Sequence, residues 1–279
     1  MVLSTSPPTA RDLPARRAAT RPLHGEGRRR AAARLSGRRT GASFVSRLGR
    51  LDGWLAGRVS DAGLLGNLGL NSDLRATEKE PASLYVYDFD RNFFTDPILT
   101  YYKQNQPYSY ASMDELTNQM PILRKKFTQY ATFAKGNFQQ IFDEKDLTRA
   151  QRMDAHTFAS AYAKNNGDGS FSLKALPLAA QVAPIFAFAV LDTDGDGKSE
   201  VLATGNFYNA HPALGRYDAS RGHFLKMKPG GDFEAIDFQK SGFASNGEGR
   251  GLNVIKTANG RLLVIAARNN LPVQVFWIK

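Results

Sequence analysis

The sequence predicts an all-β chain with a small helical insertion, preceded by a disordered N-terminal segment. Three observations carry this expectation. Short apolar runs bounded by glycine and asparagine recur through residues 64–279, as half-buried strands and their turns require. Two pairs of these runs flank loops with acidic or amide side chains at alternate positions. Only within residues 112–153 do apolar residues recur at helical spacing.

The chain has 279 residues, room for one large domain or two small ones. Its net charge of +11 suggests a polyanionic partner until the charge is located. Residues 1–50 hold 12 Arg against two acids, Asp12 and Glu26, which accounts for +10. The remainder is nearly neutral. The segment 1–63 is rich in Arg, Ala, Gly, Pro and Ser, and no lysine precedes Lys79. So little apolar surface does not offset the entropy of ordering, and disorder is the expectation. A basic tail, a mis-assigned start and an arginine-rich targeting segment are three readings of it. Binding of nucleic acid by the tail needs only phosphate neutralisation, but no aromatic residues interleave the arginines, so nucleic acid is not the expected partner. The lack of cysteine excludes disulfides and thiolate metal sites. No apolar run approaches the roughly 18 residues of a membrane span, and no basic-then-apolar secretory signal opens the chain.

Order is expected from Leu64, where Gly66-Asn67-Leu68-Gly69 punctuates a strand end. Residues 84–87 and 97–102 are β-branched or aromatic runs around the first acidic loop. Ser112-Met113-Asp114-Glu115 is a capping box, followed by Leu116, Met120, Leu123 and Phe127 at helical spacing. Pro121 falls inside that pattern and predicts a kink or two short helices. Residues 137–141 and 147–153 read as further short helices. Strand spacing returns at 157–163 and 170–175, joined by the hairpin turn Asn165-Asn166-Gly167-Asp168-Gly169. Runs 184–191 and 201–207 flank the second acidic loop. Runs 223–227, 233–236, 252–256, 262–266 and 273–277 complete the chain, with a turn at Asn259-Gly260. This recurrence of short strands points to propeller blades.

The second acidic loop, Asp192-Thr193-Asp194-Gly195-Asp196-Gly197-Lys198-Ser199-Glu200, places carboxylates at positions 1, 3, 5 and 9. Alternate side chains point inward as a backbone curls, so these oxygens can surround a hard cation such as Ca2+, which takes about 6–8 of them. Gly197 relieves the bend, Lys198 offers its backbone carbonyl, and Glu200 closes the cage. An EF-hand would need flanking helices and a glutamate at position 12, which is Ala203; strand–loop–strand is the better reading. Asp88, Asp90, Asn92 and Asp96 repeat the pattern roughly a hundred residues earlier, with the Phe94 carbonyl at position 7. There Phe93 replaces the bend glycine and Asn92 removes one charge, so the first loop is expected to be the weaker. Asp194→Ala is then expected to abolish the tighter site, and Asp90→Ala to do less. The turn at 165–169 lacks a terminal carboxylate and reads as a plain hairpin.

On these residues the chain resembles the FG-GAP/VCBS-repeat β-propellers, whose integrin-α relatives carry calcium loops at blade hairpins. It looks most like bacterial members related to cartilage acidic protein and associated with an ASPIC/UnbV domain. The carriers are Gly66-Asn67-Leu68-Gly69-Leu70-Asn71-Ser72, Tyr87-Asp88-Phe89-Asp90, residues 165–171, residues 192–200, Gly215-Arg216-Tyr217-Asp218-Ala219-Ser220 and Asn269-Asn270. The likeness covers residues 64–279 and none of 1–50. It implies Ca2+, an extracellular or periplasmic, cell-envelope location, and a role in adhesion, scaffolding or ligand binding. About three to four blades are present where closure needs four or more. The resemblance therefore implies a partial β-propeller, with further blades missing from this chain.

The four histidines, His24, His156, His211 and His223, are dispersed and show no metal-binding spacing. His223 sits in a strand pattern and reads as structural. Gly247-Glu248-Gly249-Arg250-Gly251 lacks the GK[ST] ending of a phosphate loop and reads as a loop between strands. No nucleophile elbow is present. The expectation is a non-enzymatic calcium-binding module for an unknown protein or glycan ligand. The alternative is an accessory or catalytic propeller of a polysaccharide-processing enzyme.

Overall fold

The computed structural model describes residues 62–168, 170–211, 214–229 and 231–278. Of the expected segment 1–63, residues 1–61 lie outside the described residues, whereas Ala62 and Gly63 already belong to the first strand. The described residues are 39% strand against 16% helix, in several antiparallel sheets that form no closed barrel among them.

β1 (Ala62–Leu65) is followed by β2 (Ala82–Tyr87), β3 (Asp96–Lys103) and β4 (Gln106–Ser109). Five short helices come next: α1 (Met113–Gln119), α2 (Leu123–Lys126), α3 (Tyr130–Lys135), α4 (Phe138–Ile141) and α5 (Glu144–Arg149). β5 (Gln151–Ala155) then returns to complete a four-stranded sheet in the order β4-β3-β2-β5. β6 (Ala161–Asn165) and β7 (Phe171–Ala175) form the expected hairpin, and β1 pairs with β6, Leu65 opposite Ala161. The β2–β5 sheet and its helices are thus inserted between two neighbouring strands of the β1-β6-β7 sheet. β8 (Ile185–Leu191), β9 (Glu200–Gly205), β10 (His223–Met227) and β11 (Phe233–Ile236) make a four-stranded meander. After the short helix α6 (Phe238–Ser241), β12 (Gly249–Lys256), β13 (Leu262–Arg268) and β14 (Leu271–Trp277) make a three-stranded one.

Three apolar clusters hold these sheets. Leu202, Phe243, Val264, Ala266 and Phe276 are buried where the β8–β11 sheet meets β12–β14. Leu176, Ile185, Val201 and Leu225 are buried against Leu64 and Tyr162 of the neighbouring sheet. Leu116, Met120, Leu123, Phe127, Phe138 and Ile141 bury the helices onto Ile98 and Tyr85. Each large aliphatic or Phe side chain so enclosed contributes roughly 1.5–3 kcal/mol.

The helical insertion follows its sequence signals. Ser112 Oγ accepts from Glu115 N at 3.3 Å while Glu115 Oε2 accepts from Ser112 N at 2.7 Å, the expected capping box. α1 ends before Pro121 and α2 begins after it, as a proline inside the pattern requires. Three expectations are corrected. The helix expected over 147–153 ends at Arg149, and Met153 lies in β5 opposite Leu84; strand pairing overrides the local helical pattern. Residues 157–160 are not strand, because Gln181 takes the hydrogen bonds of Ser160: its Oε1 accepts from Ser160 N at 2.9 Å and its Nε2 donates to Ser160 O at 2.8 Å. Gly249 to Gly251 are the start of β12, not a loop, since Gly249 and Gly251 pair with Arg268 and Ala267 across a bulge.

Candidate metal centres

Both acidic loops connect adjacent antiparallel strands, the first between β2 and β3 and the second between β8 and β9. They share one backbone design. Positions 4 and 6 are left-handed in each: Gly195 at φ +76° and Gly197 at +78°, Arg91 at +61° and Phe93 at +72°. Position 1 takes the position-6 amide in both, Gly197 N to Asp192 Oδ2 and Phe93 N to Asp88 Oδ2, each at 2.9 Å. Position 5 accepts from position 7 at 2.8 Å in both, through Asp196 with Lys198 N and Asn92 with Phe94 N. Position 9 takes the position-2 amide, Thr193 N to Glu200 Oε2 at 2.9 Å and Phe89 N to Asp96 Oδ2 at 3.1 Å. The first loop therefore reaches the glycine conformation without glycine. Phe93 is 96% exposed, so no packing offsets its left-handed backbone, a cost of about 1–2 kcal/mol.

The ligand geometry follows. One carboxylate oxygen from each of Asp88, Asp90 and Asp96 lies within 4.8 Å of the other two, and Asp192, Asp194 and Glu200 meet the same limit. Oxygens held about 2.3–2.6 Å from one ion lie no more than roughly 5 Å apart, so both trios fit a single cation. An all-oxygen donor set suits hard cations of the magnesium, calcium and manganese type. Position 9 is the anchor in each loop. Asp96 and Glu200 are 4% and 2% exposed, because each opens the following strand.

One expected carboxylate does not join its trio. Asp196 stands outside the converging group and turns to Lys198, with its carboxylate 3.9 Å from Nζ. Asn92 is tied within its own loop, its Nδ2 donating to Asp90 Oδ2 at 3.1 Å. Phe94 and Lys198 occupy position 7 as expected, and their amides carry the position-5 bonds described above.

Three partners were not read from the sequence. Lys226, on β10 directly opposite Glu200, places Nζ 2.7 Å from Asp194 Oδ2 and 3.7 Å from Glu200 Oε1. This ammonium holds the Asp194 carboxyl below its usual range and is itself raised by Asp194. A metal ion entering the second loop must compete with it. Thr193 Oγ1 donates to Glu200 Oε2 at 2.6 Å, while Oε1 faces Lys226. Gln119 Nε2, from α1, donates to Asp96 Oδ1 at 3.1 Å, while Arg91 reaches Asp146 of α5 at 3.7 Å. The helical insertion thus braces the first loop. Only strand register reveals Lys226, and only tertiary packing reveals Gln119.

Residue 169 of the expected turn lies outside the described residues, and residues 165–168 lead from the end of β6 into the hairpin with β7. Asn165 Oδ1 accepts from Gly167 N at 2.9 Å, and Asp168 Oδ1 accepts from Ser170 N at 2.9 Å. His223 is buried at the start of β10, with Nε2 3.0 Å from Ser220 Oγ. No helix among the described residues is long and apolar enough to cross a membrane. Comparison of the chain with protein-family models, curated proteins and solved structures gives no match.

Proposed function

We propose that the chain is a calcium-binding β-propeller module that binds a protein or glycan outside the cytoplasm and does not transform it. The observation that carries this reading is the pair of strand–loop–strand connections with one backbone design, each converging three carboxylates within 4.8 Å. Three antiparallel sheets, β1-β6-β7, β8–β11 and β12–β14, suit blades, with apolar clusters between neighbours, and the inserted β2–β5 sheet is a fourth of similar size. Calcium suits the loops because it tolerates irregular oxygen cages, whereas magnesium demands near-ideal octahedral geometry. Asp88, Asp90 and Asp96 would hold one ion, and Asp192, Asp194 and Glu200 the other. A bound cation supplies positive charge that offsets repulsion among these carboxylates. The loops then pin the ends of β2 to β3 and of β8 to β9, holding the sheets as a rigid platform.

The thermal midpoint of the full chain tests this. Millimolar calcium is expected to raise it over excess chelator by roughly 5–10 °C. The stabilisation is about 2.7 kcal/mol at a hundredfold excess over Kd, and a domain of this size gains roughly 2–4 °C per kcal/mol. A midpoint unmoved by calcium would overturn the proposal.

A further inference from the structure

Two motifs that the metal loops do not use meet in space. Asn71, Ser72 and Asp73, in and just after the first, line the same cleft of about 250 Å3 as Arg216, Tyr217 and Asp218 of the second. The intervening sequence spans most of the described chain, so the fold alone brings them together.

Both walls are fixed from beneath. Gln181, 1% exposed, accepts at its carbonyl from Leu70 N at 2.8 Å and Asn71 N at 3.2 Å. Asn71 Nδ2 donates to Val182 O at 3.1 Å. On the other side Asn206, also 1% exposed, donates from Nδ2 to Ser220 O at 2.8 Å and to Gly247 O at 2.9 Å. Its Oδ1 accepts from Ser220 N at 3.0 Å. Phe207 and Tyr217 exchange backbone hydrogen bonds at 2.8 and 2.9 Å, and the Arg216 guanidinium lies 5.1 Å from the Tyr208 ring centre. A cleft held this way is formed before a ligand arrives, so little ordering entropy opposes binding.

The side chains in its mouth keep their bonding capacity. Among the described residues Asp73 and Asp218 make no hydrogen bond or ion pair, although both share the cleft with Arg216. Burial pushes the Tyr217 phenol up, and the charge of Asp73 adds to the shift, so the phenol remains a proton donor. Two carboxylates accept, and a guanidinium, an amide and a phenol donate. Sugar hydroxyls, each both donor and acceptor, suit such a set. An anionic ligand meets two carboxylates, and a cation meets Arg216. A zwitterionic amino acid satisfies Arg216 and one aspartate but leaves the second carboxylate desolvated without a partner.

We propose that this cleft binds one neutral sugar unit of a glycan, with Asp73 and Asp218 accepting from ligand hydroxyls and Arg216 donating to ligand oxygens. The proposal deepens the reading of the chain as a ligand-binding module and does not depend on the metal loops. The test is saturation-transfer NMR on the full chain with glucose, galactose, mannose and N-acetylglucosamine, with glycine as the zwitterionic control. At least one sugar is expected to bind saturably. Asp73→Asn and Asp218→Asn are each expected to weaken it at least tenfold without moving the thermal midpoint. Arg216→Lys, which keeps the charge and loses the planar fork, is an independent variant expected to weaken it as well. Sugar binding is expected to survive Asp194→Ala, which separates this site from the metal reading. No saturable sugar binding, affinity unchanged in the variants, or preference for glycine would overturn the proposal.

Discussion

Gly205→Ala is expected to destabilise the folded chain by at least about 3 kcal/mol, the upper range for overpacking. A Cβ on Gly205 would stand 1.7 Å from Pro184 O, 2.7 Å from Pro184 C and 2.9 Å from Ile185 Cα. All three are backbone atoms, so no side-chain rotation relieves the clash. The start of β8 must move away from the end of β9, where Ile185 pairs with Gly205. That movement also breaks the bond from Asn206 N to Pro184 O at 2.9 Å, and Asn206 clamps one wall of the polar cleft. For a domain of this size the thermal midpoint is expected to fall by roughly 6–12 °C. Gly167→Ala is the comparison, since nothing lies within 4 Å of its added Cβ and only the φ of +85° opposes it. Its cost is about 1 kcal/mol. Equal losses in the two variants would contradict the close approach of β8 to β9.

Acid is expected to act through His223. Burial pushes its imidazole down to about 4, because the charged form has no solvent around it. In the unfolded chain the same group titrates near 6.5. Between those values the unfolded chain binds a proton that the folded chain does not. The stabilisation is therefore fully present above about pH 6.5 and is lost as pH falls toward 4, by roughly 3 kcal/mol in all. His223→Gln removes this titration, so its stability is expected to decline less across that window than that of the wild type. Glu248 is held below the usual carboxylate range, first by the Tyr208 amide and also by Asn269 and Arg250. Its contribution is lost at low pH in both proteins, so their difference isolates His223. Parallel stability curves from pH 7 to pH 4 would contradict this assignment.

Local pattern reached some parts of this structure and not others. β10 and β11 lie where their apolar runs place them, because alternation and turn residues are local signals. β4 carries no local strand signal, since Gln106-Pro107-Tyr108-Ser109 has little apolar content and pairs only at a sheet edge. At β5 the helical interval from Leu147 to Met153 predicts helix, and pairing with β2 overrides it. The partnership of β1 with β6 spans a whole inserted sheet and has no local signal. At the loops, spacing alone located both acidic trios, and the expected strain at Phe93 stands as a left-handed φ. Arg91 shares that strain and was not anticipated. Alternation places Asp196 among the ligands, but its carboxylate lies outside the converging trio and faces Lys198. The ammonium of Lys226 bears on the expected ranking of the two loops, because it sits on the one with the better bend glycines.

Counting calcium ions on the full chain by equilibrium dialysis tests the central claim most directly. Two ions per chain are expected at saturation. Asp88→Ala and Asp192→Ala should each remove one of them. Lys226→Met is expected to tighten the second loop about threefold to tenfold, since it removes a competing ammonium that is partly screened by solvent. A chain that binds no calcium, or one whose count is unchanged when both aspartates are replaced, would contradict the reading of these loops as metal centres.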